Sequence, residues 1–352
     1  MTQIQRKPIR FLLASLAFVA VAGCGEIGGP GFSGPQDPGV LLVTLTQGGE
    51  DLAWTSDGTE LVYAVAGQLN AVSASTHAVR RLDAPQSDFI VALSRGAERI
   101  YFASSLHVAG PNDPSFLVGR VNPNAGSAEI LFTNRSLPDQ HLGVSSDERF
   151  LVADRVLYNL QTGAQITLPV GTSFGFSPDG SQLLYYQFQD GLLIGSPRLI
   201  STADGSSSEP LQSPSGSFHY GHRWEGSSLQ MLDFSLDNEA LHLFEIEATT
   251  GAKRPLAEFG SNPTFPTILP SASWSPDGRA LAIWIEQGSG PDRRSNLYVI
   301  RSGSAPAIVA SVITAGWDTA VGIPVFSPSG SAVAYTYYLD GGGRSLYMKS
   351  GI

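Results

Sequence analysis

The chain has 352 residues and a formal net charge of −10, because 21 lysines and arginines stand against 31 aspartates and glutamates. Such an acidic chain lacks the basic surface with which proteins bind nucleic acid, and an anionic lipid surface would repel it. Charged residues make up only 15% of the sequence, whereas glycines and prolines number 39 and 23. This balance is typical of many short strands joined by turns, and no long segment repeats apolar residues with the helical period.

The first 23 residues have the layout of an export signal. Three basic residues between positions 6 and 10 precede an apolar core at 11–22, which is shorter than the about 20 residues of a membrane-spanning helix. The sequence Val-Ala-Gly-Cys at 21–24 resembles the lipobox of bacterial lipoproteins. The resemblance implies that residues 1–23 are removed and that Cys24, the only cysteine of the chain, is lipidated. An ordinary signal peptide with a coincidental cysteine is the alternative.

Residues 24–38 are predicted to form a flexible tether behind the lipidated cysteine. They contain five glycines and three prolines and show no hydrophobic periodicity. Gly25 follows the cysteine, where the lipoprotein resemblance would place an aspartate in a protein retained at the inner membrane. We therefore expect a location in the bacterial cell envelope, at the outer membrane of a Gram-negative host, facing either the periplasm or the exterior.

Residues 39–352 are predicted to form one domain of repeated units, because a five-residue turn motif recurs along them. The motif reads Trp-Ser-Pro-Asp-Gly at 274–278 and Phe-Ser-Pro-Asp-Gly at 176–180. Close variants occupy 54–58 and 326–330, and each of these four copies is followed by an apolar run of strand type. Aligned on the last position, seven copies lie 32 to 52 residues apart; these positions are Gly58, Gly96, Glu148, Gly180, Gly226, Gly278 and Gly330. This spacing is typical of four-stranded propeller blades.

The Asp-Gly pair of the motif favours a tight hairpin, since glycine adopts positive φ and aspartate hydrogen-bonds the nearby backbone. The same aspartates could be read as calcium ligands, but no calcium-loop pattern surrounds them. The aromatic residues that open the motif are expected to pack between neighbouring units, with a row of sugar-stacking rings as the alternative. These residues are Trp54, Phe176, Trp274 and Phe326.

The two ends of the domain are predicted to pair with each other. The last unit reaches only its third strand, at 346–349, and the strand predicted at 40–45 has no earlier partner. Pairing them would complete the last unit and remove an open sheet edge. The sequence therefore predicts an all-β fold, a closed β-propeller of seven blades, with six or eight blades also compatible with the degraded copies.

The turn motif and its downstream strand pair resemble the TolB-type, WD40-like β-propeller repeats of bacterial periplasmic proteins. The resemblance covers residues 39–352 and is carried by the two full copies of the motif at 176–180 and 274–278. It implies the propeller fold. The role of TolB itself is not implied, because TolB is not lipid-anchored and carries a separate N-terminal domain.

Sequence motifs for catalysis or metal binding are weak. Ser177 lies in a segment that resembles a hydrolase nucleophile elbow but lacks the second glycine. His219 and His222 form a His-x-x-His pattern that would need further zinc ligands, for which His242 and Asp233 are the candidates. Loop histidines without a metal are the alternative reading. We therefore expect no catalytic residue, no metal and no cofactor.

Three long connections, at 107–115, 191–197 and 287–295, are predicted to lie on one face of the propeller. The last of them carries Asp292, Arg293 and Arg294, a small basic spot that is either a contact site or a solvated loop tip. Together, these observations predict a non-enzymatic, lipid-anchored envelope scaffold that binds other envelope proteins or peptides. Binding of a small ligand or glycan in the central funnel is the first alternative, and a hydrolase or lyase is the second.

Overall fold

A computed structural model describes most of the chain from residue 39 onward. The described residues are 39–45, 51–85, 89–105, 116–124, 127–134, 142–153, 155–169, 171–189, 192–193, 197–208, 210–211, 222–226, 228–236, 240–260, 263–264, 272–287, 294–301, 304–313, 321–339 and 343–352. The chain divides into two units, 1–34 and 35–352, and all of the described residues belong to the second. Cys24 and the predicted tether therefore lie outside the described residues.

The described residues form strands and turns and contain no helix, which confirms the predicted all-β fold. The strands assemble into seven antiparallel sheets, here called blades 1 to 7 in chain order. Blades 1 to 3 contain β2 (Leu52–Trp54), β3 (Glu60–Val65), β4 (Gln68–Ser73) and β5 (Val79–Arg81); β6 (Phe89–Arg95), β7 (Ile100–Ser105), β8 (Phe116–Val121) and β9 (Ala128–Asn134); and β10 (Leu142–Val144), β11 (Phe150–Ala153), β12 (Val156–Asn159) and β13 (Gln165–Thr167). Blades 4 and 5 contain β14 (Gly171–Phe176), β15 (Gln182–Gln189), β16 (Leu192–Leu193) and β17 (Arg198–Ser201); and β18 (His222–Glu225), β19 (Ser228–Leu236), β20 (Ala240–Glu247) and β21 (Lys253–Gly260). Blades 6 and 7 contain β22 (Pro263–Thr264), β23 (Ala272–Trp274), β24 (Ala280–Gln287), β25 (Arg294–Arg301) and β26 (Ala307–Ile313); and β27 (Val325–Phe326), β28 (Ala332–Leu339), β29 (Gly343–Ser350) and β1 (Val40–Leu45).

Blade 7 joins the two ends of the domain, as the sequence predicts. Strand β1 pairs with β29 in antiparallel register, from Val40 opposite Met348 to Leu45 opposite Arg344. Leu45 is 2% exposed and packs in an apolar cluster with Leu346 of β29. The pairing leaves β1 as the outermost strand of blade 7 and closes the ring.

The core of the domain lies between the blades. The described residues contain seven apolar clusters, and each cluster combines residues from two neighbouring blades, including one cluster shared by blades 7 and 1. In the cluster between blades 6 and 7, the ring of Trp284 meets the ring of Tyr335 edge-on at a centroid distance of 5.3 Å. Seven sheets joined pairwise by seven clusters form a closed seven-bladed β-propeller.

The aromatic residues of the turn motif pack between blades, as predicted. Trp54 is 3% exposed in the cluster of blades 7 and 1, and its indole Nε1–H donates to the carbonyl of Val325 in blade 7 at 3.1 Å. Phe326 and Trp274 occupy the equivalent clusters of blades 6 and 7 and of blades 5 and 6, while Phe176 packs between blades 3 and 4. These rings hold blades together and are not a row of exposed sugar-stacking residues.

The hydroxyl and carboxylate of the motif stabilise its turn. In blade 4, the Ser177 hydroxyl donates to Asp179 Oδ1 at 2.7 Å and accepts from the Gln182 amide at 2.9 Å. The Ser181 amide donates to the same aspartate oxygen at 3.0 Å, and Gly180 adopts φ +70°. Hydrogen bonds from Ser177 and Ser181 lower the pKa of Asp179 to about 2. The same arrangement recurs in blades 1, 3 and 6, so the repeated aspartates serve the hairpin, as expected.

Glu148 replaces the motif glycine in blade 3 and bonds to blade 2. Its backbone has φ +54°, which L-residues rarely adopt. Its carboxylate accepts from the amides of Glu98 and Arg99, from Arg99 Nη1 at 2.7 Å and from the Tyr101 hydroxyl at 3.0 Å. The same carboxylate fills the space beside Gly96, where a Cβ atom would lie 2.5 Å from Glu148 Oε1. This bridge is specific to blades 2 and 3.

The antiparallel order of the strands gives the ring two different faces. Within a blade, the first-to-second and third-to-fourth connections leave the same end of the sheet. The second-to-third connection and the connection to the next blade leave the opposite end. We call the first side the turn face, because the turn motifs lie there, and the second side the loop face.

Candidate functional site

The loop face is uneven because its hairpins differ in length. The second strands of blades 4, 5, 6 and 7 have 8, 9, 8 and 8 residues, whereas those of blades 1 and 3 have 6 and 4 residues. All second strands begin near the turn motif, so the additional residues extend the sheet at the loop face. Two additional residues correspond to about 7 Å of strand. The side of the loop face formed by blades 4 to 7 is therefore raised above blades 1 and 3.

The predicted contact loop joins β24 and β25 of blade 6, and the structure describes only its ends. Asp292 and Arg293 lie outside the described residues. Arg294 is the first residue of β25, where it pairs with Gln287 of β24 and Ile313 of β26. Ser295 is 1% exposed. The prediction of a loop over 287–295 was therefore wrong for its ends, because the hydrogen-bonded hairpin continues through polar residues that the sequence pattern assigned to the connection.

The other two predicted connections are described in part. Residues 107–115 lie outside the described residues. Within 191–197, Leu192 and Leu193 form β16 and pair with Gln189 and Phe188 of β15. The prediction of an open connection over 191–197 was thus wrong for these two leucines, because they extend the sheet of blade 4.

The predicted histidine cluster separates into different environments. His219 lies outside the described residues. His222 is on β18, the innermost strand of blade 5, and a Cβ atom on Gly175 of blade 4 would lie 2.8 Å from its Nε2. Burial lowers the pKa of His222 to about 4, so its imidazole is neutral at pH 7. His242 lies on β20, where its Nδ1 is 3.5 Å from Glu258 Oε2 of β21.

Asp233 pairs with Phe244 in the middle strands of blade 5. In the part of the chain that the structure describes, no three His, Cys, Asp or Glu side chains are grouped as metal ligands. The hydroxyl of Ser177, which the sequence places in an elbow-like segment, is engaged by its own turn. Ser177 therefore serves the turn, and His222 lies at the interface of blades 4 and 5.

The turn-face end of the central channel holds a cavity that the sequence did not indicate. Its volume is about 300 Å³, and residues at the first turns of blades 1 to 4 line it. The lining includes Ser56, Arg95, Val144, Ser146 and Phe176. Among these lining residues, Arg95 carries the charge.

Arg95 occupies the position that an apolar residue has in the other blades. Strand pairing places Arg95 opposite Ile100 in the way that Trp54 stands opposite Leu61 and Phe176 opposite Leu183. The residues at this position in blades 1 and 3 to 7 are Trp54, Val144, Phe176, Trp224, Trp274 and Phe326. The alignment of Gly96 and Gly226 with the last residue of the motif was therefore wrong, because blades 2 and 5 close their hairpins with shorter turns.

The guanidinium of Arg95 has no ion pair with a carboxylate of the described residues. Burial by the surrounding protein atoms lowers its pKa, and no neighbouring charge counteracts that effect. The residue is exposed, so that water also solvates the guanidinium. Arg95 is therefore a cation at the channel mouth of an acidic protein, and no carboxylate of the described residues neutralises it.

A second arginine cluster, between blades 5 and 6, is neutralised internally. Glu245 is 2% exposed and accepts from Arg223 Nε at 2.6 Å and from Arg254 Nε at 3.0 Å. The guanidinium of Arg223 also lies over the Trp274 ring at 5.0 Å. The adjacent cavity of about 80 Å³ is lined by Arg254, Trp274 and Arg279 among others. This pairing shows how the fold balances a buried arginine where no ligand is required.

Among the described residues, no helix has the length and apolar character needed to cross a membrane. No protein-family model matches the chain, and no curated protein matches it significantly.

Solved structures resemble the chain in fold. An oligogalacturonate lyase in complex with manganese has a TM-score of 0.59 and 13% identity over 85% of this chain and 88% of its own. A chain of the mitotic checkpoint complex has a TM-score of 0.53 and 14% identity over 96% of this chain and 100% of its own. The Myceliophteria thermophila Cps50 (Swd1) β-propeller domain has a TM-score of 0.52 and 14% identity over 87% and 98%. The chain therefore shares the β-propeller fold with these proteins.

Proposed function

We propose that the protein is a non-catalytic, lipid-anchored scaffold of the bacterial cell envelope that binds other envelope proteins or peptides through its loop face. The observation that carries this proposal is the raised side of the loop face on a closed ring. Hairpins held by a rigid sheet lose little conformational freedom on binding, which favours association with a partner. The chain of the mitotic checkpoint complex supports it further, as a propeller of similar fold that is part of a protein complex.

The lipid anchor is supported by the signal at the start of the chain. Basic residues, a short apolar core and the Val-Ala-Gly-Cys sequence precede the tether in the order that a lipoprotein requires. Cys24 would carry the lipid, and the propeller would then be attached through the strand β1. The rim of blade 7 would be the part of the ring that is nearest to the anchor along the chain.

Substitution of the cysteine tests the anchor. We expect Cys24→Ser to move the full-length protein from the membrane fraction to the aqueous fraction of the host cell. Gly25→Ser, which leaves the cysteine in place, is the matched control and should stay with the membrane. Membrane retention of the serine variant, or mass spectrometry showing an unmodified thiol at Cys24 in the mature protein, would contradict the proposal.

Photo-crosslinking from the two faces tests the scaffold. A photoreactive residue at Arg294, the first residue of β25, samples the raised side of the loop face, and one at Thr76, which is exposed between β4 and β5, samples the turn face. In envelope fractions we expect discrete protein adducts from position 294 and none from position 76. Adducts from neither position, from both positions equally, or from position 76 alone would each refute the proposed face.

A metal-dependent lyase is a second candidate, because one structural neighbour is a lyase in complex with manganese. His222 is the described residue to test, since its neutral imidazole has the form that binds metals. Calorimetric titration of the protein with Mn²⁺, followed by a search for cleavage of acidic polysaccharides, distinguishes this candidate. Saturable metal binding and cleavage that His222→Ala abolishes would favour it over the scaffold.

A further inference from the structure

The position of Arg95 sets blade 2 apart from the other six. Every other blade places a tryptophan, phenylalanine or valine there, and those side chains pack in the clusters between blades. Arg95 instead is exposed, so its guanidinium is open to solvent and to a ligand. Because the ring supplies apolar residues at the equivalent positions, packing alone does not explain an arginine at this one.

The carboxylates nearest along the neighbouring motifs already have partners. Asp57 accepts from the hydroxyl of Thr55 at 2.6 Å and from the amide of Thr59 at 3.0 Å. Asp147 accepts from the Ser145 hydroxyl at 2.7 Å and forms an ion pair with Arg149. The carboxylate of Glu148, beside Gly96, is held by Arg99 and Tyr101 of blade 2. Each of these carboxylates is therefore already engaged, and the positive charge of Arg95 faces the cavity.

The remaining lining of the cavity complements a small anionic group with an apolar neighbour. Ser56 is exposed and its hydroxyl has no hydrogen bond to a described residue, so that it can donate into the cavity. Val144 and Phe176 supply an apolar wall on the side of blades 3 and 4. The volume of about 300 Å³ is at the lower end of the range for ligand pockets. It fits one or two side chains and is too small for a folded domain.

We propose that the turn-face mouth of the channel binds the carboxylate of an acidic peptide segment, with Arg95 as its anchor. The guanidinium forms a two-point contact with the carboxylate, the Ser56 hydroxyl donates to it, and an adjacent apolar side chain of the peptide contacts Val144 and Phe176. The carboxylate comes either from an Asp or Glu side chain or from a peptide C-terminus. This site lies on the face opposite the proposed scaffold surface and does not depend on that function.

A peptide array tests the site with defined probes. Pentapeptides of varied sequence are presented once with a C-terminal amide and once with a free C-terminal carboxylate, and each set is probed with the full-length protein. We expect preferential binding of peptides that contain Asp or Glu next to an apolar residue, or of the free-acid set, and the comparison of the two sets identifies the source of the carboxylate. Equal binding of acidic and neutral peptides in both sets would overturn the proposal.

Two variants and a chemical measurement make the test specific. Arg95→Met, which retains an apolar side chain of similar length, should weaken binding of the selected peptides by about tenfold or more. Arg279→Met, on the same face and with an arginine side chain that is 86% exposed, is the matched control and should bind as the wild type does. Unchanged binding by Arg95→Met, or an equal loss in both variants, would contradict the proposal.

A measurement on the wild-type protein covers the case in which Arg95→Met does not fold. The selected peptide should protect the Arg95 guanidinium from modification by phenylglyoxal and should leave the modification of Arg279 unchanged. Mass spectrometry measures the extent of modification at each arginine. Undiminished labelling of Arg95 at saturating peptide would refute the site.

Discussion

Replacing Glu148 by glycine relieves backbone strain but removes the hydrogen bonds that join blades 2 and 3. A glutamate in the left-handed region costs about 1–2 kcal/mol relative to glycine, so the substitution restores the favourable residue of the motif. It also removes the acceptor of four hydrogen bonds, each of which is worth about 1.5–3 kcal/mol because the acceptor is charged. Water can replace the carboxylate at the exposed Glu98 amide. It reaches the Tyr101 hydroxyl less easily, because Tyr101 is 0% exposed.

The two effects leave a net destabilisation. Counting only the bonds from the Tyr101 hydroxyl and from Arg99 Nη1 gives a loss of about 3–6 kcal/mol. Subtracting about 1–2 kcal/mol for the relief of strain leaves about 3 kcal/mol for Glu148→Gly. In a domain of this size such a loss lowers the thermal midpoint by roughly 4 °C. Circular dichroism of the purified protein during heating at pH 7 measures it, and Glu98→Gln, which changes an exposed carboxylate of the same turn, is the control.

The charge of Glu148 predicts the pH dependence of the same bridge. Burial raises its pKa, but the hydrogen bonds from Glu98, Tyr101 and Arg99 outweigh burial, so its pKa in the folded protein lies below the ordinary value of 4.5. A carboxyl with a lowered folded pKa stabilises the protein above its unfolded pKa, and that stability disappears as the pH falls through the folded pKa. The advantage of the wild type over Glu148→Gln should therefore be full at pH 7 and shrink below pH 4.5. A glycine variant as stable as the wild type, or a glutamine variant whose deficit does not change with pH, would refute this reasoning.

Three further substitutions test the ring and its turns. Leu45→Asp places a charge in the apolar cluster between blades 7 and 1 and should strongly lower the urea concentration at the unfolding midpoint. Val40→Asp on the same strand, at a position 42% exposed, should change that midpoint little. Equal effects of the two variants would contradict closure through β1. Trp54→Ala should cost about 3–5 kcal/mol in the same assay, because it removes a buried indole and its hydrogen bond between blades, and a loss below 1 kcal/mol would count against that packing. Ser177→Ala should raise the pKa of Asp179 from about 2 toward 3.8, measured by NMR titration of the carboxyl carbon; an unchanged pKa would show that the serine hydroxyl is not the main cause.

The sequence predicted the ring because its determinants are local and repeated. The hydroxyl and aspartate of the motif form hydrogen bonds with residues at most five positions away, so the motif can be recognised as a repeated sequence pattern. The pairing of β1 with β29 joins the ends of the domain, but it followed from one incomplete unit at each end. Blade number followed from spacing alone, and the described sheets confirm seven.

The sequence did not predict the contacts that depend on register or on a second blade. Alignment on Gly96 placed Arg95 inside a turn, whereas the ladder of β6 and β7 places it opposite Ile100. A shorter turn leaves no mark in the sequence except the absence of the motif, and the unexpected basic residue in Ser94-Arg95-Gly96 was the available signal. The bridge of Glu148 to Arg99 joins residues of different blades, and no spacing rule relates them.

Because the seven blades repeat one architecture, the residues that differ from the repeat can be compared with one another. Glu148 replaces a glycine at an unfavourable φ, and the protein compensates with hydrogen bonds from blade 2. Arg223 is half-buried between blades, and Glu245 neutralises it from the same blade. Arg95 departs from the repeat as strongly as either, yet the described residues offer it no carboxylate. Two departures are thus explained by contacts within the ring, and the third leaves an exposed cation at the channel mouth, which is why Arg95 indicates a binding site and the other two residues indicate structure.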